Sequence, residues 1–119
     1  MKEDNNTLPT KSDVSLFSLL YPMLIADLGE MRELSKKKQD GTVNKLKVAV
    51  INKKLEKIKS FLESRPTHEF LELLDDVSLP TNSDAVFTMV QFKSALEHFR
   101  NTYYTKERLE YGHTWKTSN

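Results

Sequence analysis

The feature that most constrains this chain is a set of apolar stripes with helical spacing. Val48, Ile51, Leu55, Ile58 and Leu62 recur at alternating intervals of three and four, as do Ala85, Met89, Phe92, Leu96, Phe99 and Tyr103. That period lines up every member on one side of an α-helix and turns the whole side away from water. Phe17, Leu20, Leu24, Leu28, Met31 and Leu34 form a third such stripe. Helices built this way bury their stripes against one another, so the expected class is all-α. The expected architecture is an antiparallel up-and-down bundle of three long helices and one short helix. A length of 119 residues suits one domain, and 3 Gly and 4 Pro are too few to turn an all-β chain.

Local signals set the expected boundaries. Residues 1–11 lack periodicity and read as a disordered or extended segment, residues 12–111 as the helical bundle domain, and residues 112–119 as a flexible tail after Gly112. Ser12 or Asp13 supplies a side-chain oxygen to cap the first helix, which is expected to kink near Pro22 because proline has no N–H to give the preceding turn. Gln39-Asp40-Gly41 reads as a loop with Gly41 in the left-handed region, and Thr42 or Asn44 opens the second helix. Arg65-Pro66 stops that helix. Thr67 then caps a short helix with Phe70, Leu71, Leu73 and Leu74 inward, and a loop over Leu79–Ser83 leads into the last helix. The seam of the second helix is expected to face that of the last.

Composition removes several classes of function. No cysteine is present, which excludes disulfides, thiolate metal sites and a cysteine nucleophile, and fits a reducing, cytoplasmic location. Met1–Thr10 is charged and has no apolar core, unlike a signal peptide. The apolar run Val14–Ala26 is shorter than the roughly 20 residues that span a bilayer, so no membrane partner is expected. Gly29, Gly41 and Gly112 stand apart, leaving no phosphate-binding glycine loop. No cofactor and no small-molecule substrate are inferred.

The run Val14–Ala26 is nevertheless apolar nearly all round, whereas a helix on the outside of a small bundle needs only one apolar face. Leu16, Phe17, Leu19, Leu20, Met23 and Ile25 are therefore the expected interface residues, and a homodimer or a protein partner is the expected occupant. Val86, Phe87 and Val90 are a milder surplus on the last helix.

Charge is blocked along the chain. Residues 36–59 carry 9 Lys against Asp40 and Glu56, while residues 60–99 carry 7 acids against Arg65 and Lys93. Lys36, Lys37, Lys38, Lys45, Lys53 and Lys57 are candidates for binding a polyanion such as nucleic acid, because clustered cations release the counterions condensed on phosphates. No aromatic side chain or arginine lies between Lys36 and Lys59 to stack on or read a base. The favoured reading is a solvated face paired with the acidic helices.

The segment Arg108-Leu109-Glu110-Tyr111-Gly112-His113-Thr114-Trp115 resembles the active-site motif of the HEPN superfamily, small all-helical ribonucleases and toxins that are often dimeric. The resemblance covers eight residues and implies that Arg108 would hold a phosphate and His113 would support attack by a ribose 2′-hydroxyl. Leu109 stands where that family usually has a polar residue, and Gly112 interrupts the helix that should present both side chains. Glu110 with His113, and His68 with Glu72, have the spacing of paired metal ligands, but no carboxylate projects from the apolar stripes to complete a centre, and no metal site is assigned. The reading that follows is a non-catalytic helical module for self-association or protein interaction.

Overall fold

The computed structural model describes residues 8–106 and 113–117. Three α-helices pack against one another: α1 (Lys11–Lys37), α2 (Lys45–Phe61) and α3 (Asn82–Tyr103). A 3-10 turn over Pro66–Phe70 lies between α2 and α3, and a two-stranded antiparallel ladder, β1 (Tyr104–Lys106) with β2 (His113–Trp115), follows α3.

Every member of the α2 and α3 stripes is buried, with Leu34 at the end of the α1 stripe partly so. The main packing partner of α3 is α1, ahead of α2. The expected seam between α2 and α3 exists, with Phe61 set edge-on to Phe99 at 4.9 Å, but it is the lesser contact. The reason is length: α1 has 27 residues and α3 has 22, so their stripes run alongside each other for five turns or so.

The start of α1 differs from expectation. Thr10, and neither Ser12 nor Asp13, is the N-cap: its hydroxyl accepts from the Asp13 N–H at 3.0 Å, and the Asp13 carboxylate accepts from the Thr10 N–H at 2.9 Å. Asp13 is thus the third residue of a reciprocal capping box. The helix continues through Pro22 as one element. Asn44 caps α2, accepting from the Lys47 N–H at 2.7 Å, and Thr81 caps α3.

The expected short helix is only the 3-10 turn. Its continuation is extended because Asn52 of α2 satisfies Leu74 in both directions, donating from Nδ2 to the carbonyl and accepting the N–H at Oδ1, each at 2.9 Å. Those bonds replace the intrahelical ones, and they set Leu71 and Leu74 into the core while Phe70 is 70% exposed. Asp75 ends no helix; its Oδ1 accepts from the N–H groups of Val77 and Ser78, which hold its carboxyl below the usual carboxylate range.

The chain after α3 is also unlike the expectation of a helix to residue 111 and a free tail. α3 ends at Tyr103, and β2 returns Trp115 onto Phe17, Phe99 and Tyr104, with ring centroids 5.2, 5.9 and 4.9 Å away. Arg65 closes the same end of the molecule. Its guanidinium lies over the rings of Phe99 and Tyr103 and donates to the Tyr103 hydroxyl at 2.9 Å.

At the opposite end the two connecting loops are stitched together. Val43 N–H donates to Pro80 O at 2.9 Å, Asn82 N–H to Gly41 O at 2.7 Å and Ser83 N–H to Gln39 O at 3.0 Å. The buried Asn82 side chain donates to Lys38 O at 2.9 Å. Gly41 does not adopt the left-handed conformation; it is small because a Cβ there would lie 3.1 Å from Nδ2 of Asn82. Replacing Asn82 by Ala is expected to cost about 1–2 kcal/mol, the usual range for a lost buried hydrogen bond that leaves its partner bare. In urea denaturation Gly41→Ala should then cost less in the Asn82→Ala background than alone, because the crowded amide is gone.

Candidate functional site

The outside of α1 carries no exposed charged residue from Ser12 to Gly29. Its exposed residues between Ser12 and Gly29 include the apolar Leu16, Leu19 and Met23, at 36%, 58% and 39% exposure. The remaining exposed positions there are Ser12, Ser15, Ser18, Pro22, Ala26 and Gly29, so none of the exposed residues over this span is charged. The two acids in the span are engaged elsewhere: Asp13 in the capping box, and Asp27 with Lys54 of α2 at 2.8 Å.

Of the six expected interface residues, Leu16, Leu19 and Met23 face outward, and Ile25 is half-buried. Phe17 and Leu20 do not belong to the surface: each is 5% exposed and packed in the core. They fall on the opposite side of the helix, where Phe17 stacks on Phe99 at 5.8 Å. An 18-residue window of α1 is apolar enough to cross a membrane by length and composition, and 28% of it is buried. This is longer than the apolar run read from the sequence, because a core stripe on one side and an uncharged face on the other add up round the same helix.

A second apolar feature joins Phe87, one of the surplus residues expected on the last helix, to Phe70, which is expected inward. Phe70 and Phe87, 70% and 69% exposed, flank a groove completed by Glu72, Thr88 and Gln91. Phe70 reads as a core residue only if its segment is helical; the extended path of the chain turns it outward. Val86 and Val90, by contrast, are absorbed against the core.

The lysines do not form one patch. Lys47 pairs with Glu30 at 3.3 Å and Lys54 with Asp27, both bridging α2 to α1, while Lys36 pairs with Glu33 at 3.1 Å within α1. Lys37 and Lys38 lie at the end of α1, and Lys45, Lys53 and Lys57 are exposed on α2, where Lys45 and Lys53 share a shallow depression with Glu56 and Asp76. Opposite charges are thus interleaved with the basic segment.

His113 lies on β2, in register with Lys106 of β1, so it is on a strand and not on the helix that the resemblance requires. Arg108, Glu110 and Gly112 lie outside the described residues. Among the described residues no group of three or more His, Asp or Glu is placed to hold a metal ion.

The most connected polar group between helices is Glu97. It does not point free into solvent, as its place beside the seam suggests; it accepts from the Tyr21 hydroxyl at 2.7 Å and from Lys93 at 2.8 Å, and Arg100 lies over the Tyr21 ring. The Lys93 bond, then the Tyr21 bond, hold the Glu97 carboxyl below its ordinary range, while burial and then the Glu97 bond push the Tyr21 hydroxyl up. The Tyr21–Glu97 bond runs from α1 to α3 and so fastens the two helices together.

No family model, no curated protein and no solved structure matches this chain.

A carboxyl held low stabilises the fold fully above its unfolded pKa, about 4.3 for Glu, and loses that contribution as pH falls through the folded value. Glu97→Gln is therefore expected to flatten the loss of stability on acidification below about pH 4.3, measured as thermal midpoints across a pH series. Stability near neutral pH should drop, since the amide cannot replace the charged bond to Lys93.

Proposed function

We propose that this protein is a non-catalytic helical interaction module that works by self-association, with the outer face of α1 as its contact surface. The observation that carries this reading is the uncharged run from Ser12 to Gly29 with Leu16, Leu19 and Met23 exposed along it. A solvated helix face normally carries charge at every turn or so, and this chain has abundant charge to spend elsewhere on its surface. Covering what is still exposed of Leu16, Leu19 and Met23 amounts to little more than one whole apolar side chain, worth about 2–4 kcal/mol before the cost of association.

The polyanion reading has less support, because Glu30, Glu33 and Asp27 neutralise part of the basic segment and Lys45 and Lys53 sit beside Glu56 and Asp76. A reaction has less still: Glu97 and Tyr21 bond to each other and not across a cleft.

Sedimentation equilibrium over a concentration series is expected to show reversible dimerisation. Leu16→Asp or Met23→Asp should each raise the dissociation constant at least tenfold with unchanged helical circular dichroism. A protein that stays monomeric at the highest concentration, and is indifferent to both changes, would remove this function.

A further inference from the structure

We infer that the groove between Phe70 and Phe87 takes an arginine side chain presented by an extended segment of a partner protein. This site goes beyond self-association and uses a different face of the molecule. Phe70 closes the 3-10 turn after α2, and Phe87 lies in the second turn of α3. At 70% and 69% exposure the two rings are open to water, and among the described residues no other ring and no cation lies against either.

Charge decides the occupant. Glu72 lines the groove, Asp84 stands one turn before Phe87 and Thr88 on the same side of α3, and Glu69 adjoins Phe70. All three acids are exposed, and none of their carboxylates forms an ion pair or hydrogen bond among the described residues. Nearby bases serve other contacts: Lys93 bonds Glu97 at 2.8 Å, and Arg65 lies over Phe99 and Tyr103. Between those two residues the remaining basic side chain is His68, which is half-buried. Aromatic faces beside uncompensated carboxylates attract a cation, through the ring quadrupole and charge-assisted hydrogen bonds together. They repel a phosphate, and a wholly apolar side chain would strip water from the carboxylate without returning a bond.

Size and geometry narrow the cation. The groove has a volume of about 230 Å³, below the roughly 300–1,000 Å³ of small-molecule pockets, and so suits a single side chain. Arginine fits it better than lysine, because a planar guanidinium stacks on a ring face while its N–H fork reaches a carboxylate. Thr88 and Gln91 add neutral acceptors along the wall. Beside the groove the chain is extended, and the backbone groups of Glu72 and Leu73 make no hydrogen bond among the described residues. A partner segment laid alongside therefore finds main chain to pair with as its arginine enters.

The probe is a capped glycine-arginine-glycine tripeptide, titrated into the full ¹⁵N-labelled chain beside the same peptide carrying citrulline, which keeps the shape and loses the charge. Saturable shifts are expected at the amides of Phe70, Glu72, Phe87 and Gln91, with the citrulline peptide at least fivefold weaker. Glu72→Gln should weaken binding at least threefold and Phe87→Ala should abolish it; both positions are exposed, so helical circular dichroism should not change. Leu16→Asp, on the α1 face, should leave arginine binding as it is, so the two readings fail separately. Equal binding of the two peptides, no saturable shift, or shifts that survive Phe87→Ala would each overturn the proposal. So would a dimer that Phe87→Asp dissociates in a protein that does not bind the arginine peptide, which would assign the groove to a second copy.

Discussion

The contact between α1 and α3 is what the rest of the structure depends on. Phe17, Leu20, Leu24, Leu28 and Met31 meet the seam of α3 along most of its length, and the other elements are fitted around that pair. α2 closes the third side with Val48, Ile51, Leu55, Ile58 and Leu62 at zero to three per cent exposure. The polar links follow the same plan: Tyr21 to Glu97 ties α1 to α3, and Lys54 to Asp27 ties α2 to α1. Because α1 is committed to the core along one side, the uncharged run from Ser12 to Gly29 falls on its opposite side. The same helix thus carries a core stripe inside and an uncharged face outside, which is why its composition looks too apolar for a core stripe alone.

Much of this was legible in the chain. Helical periodicity identified α2, α3 and the inward side of α1 residue by residue, because burial follows the geometry of the helix with little help from context. The surplus on α1 was legible too, as a quantity, but its membership was not wholly so. Phe17 and Leu20 fit both the inward stripe and the outer apolar run, an ambiguity that arises when a helix is apolar nearly all round, and only packing assigns them to the core. The cap of α1 lies two or three residues before the expected Ser12 or Asp13, since Thr10, Ser12 and Asp13 are all good capping residues and only the backbone geometry selects among them.

The two larger departures, after α2 and after α3, share one physical origin, which is tertiary bonding that overrides local preference. The stretch around Leu74 has a helix-compatible pattern, yet Asn52 captures its backbone and draws it out straight. That single asparagine, distant in sequence and polar in type, turned Phe70 outward and created the groove with Phe87. The end of α3 behaves likewise: the ladder of Tyr104–Lys106 with His113–Trp115 ends the helix at Tyr103, and Trp115 joins an aromatic group that includes Phe17 and Phe99. Nothing local to Trp115 announces that destination.

The stitching of the two loops at the other end carries its own consequence. Connectors are ordinarily the parts of a small domain that accept inserted residues, because their backbone is solvated. Here Gln39, Gly41 and Val43 are paired to Ser83, Asn82 and Pro80 across the gap between two helix junctions. A peptide tag or reporter grafted into either loop would therefore pull apart the other as well, and shift the starts of α2 and α3 with it. The exposed turn at Asp76–Ser78, earlier in the second connector, makes none of those cross-loop backbone bonds and leaves room for such a graft.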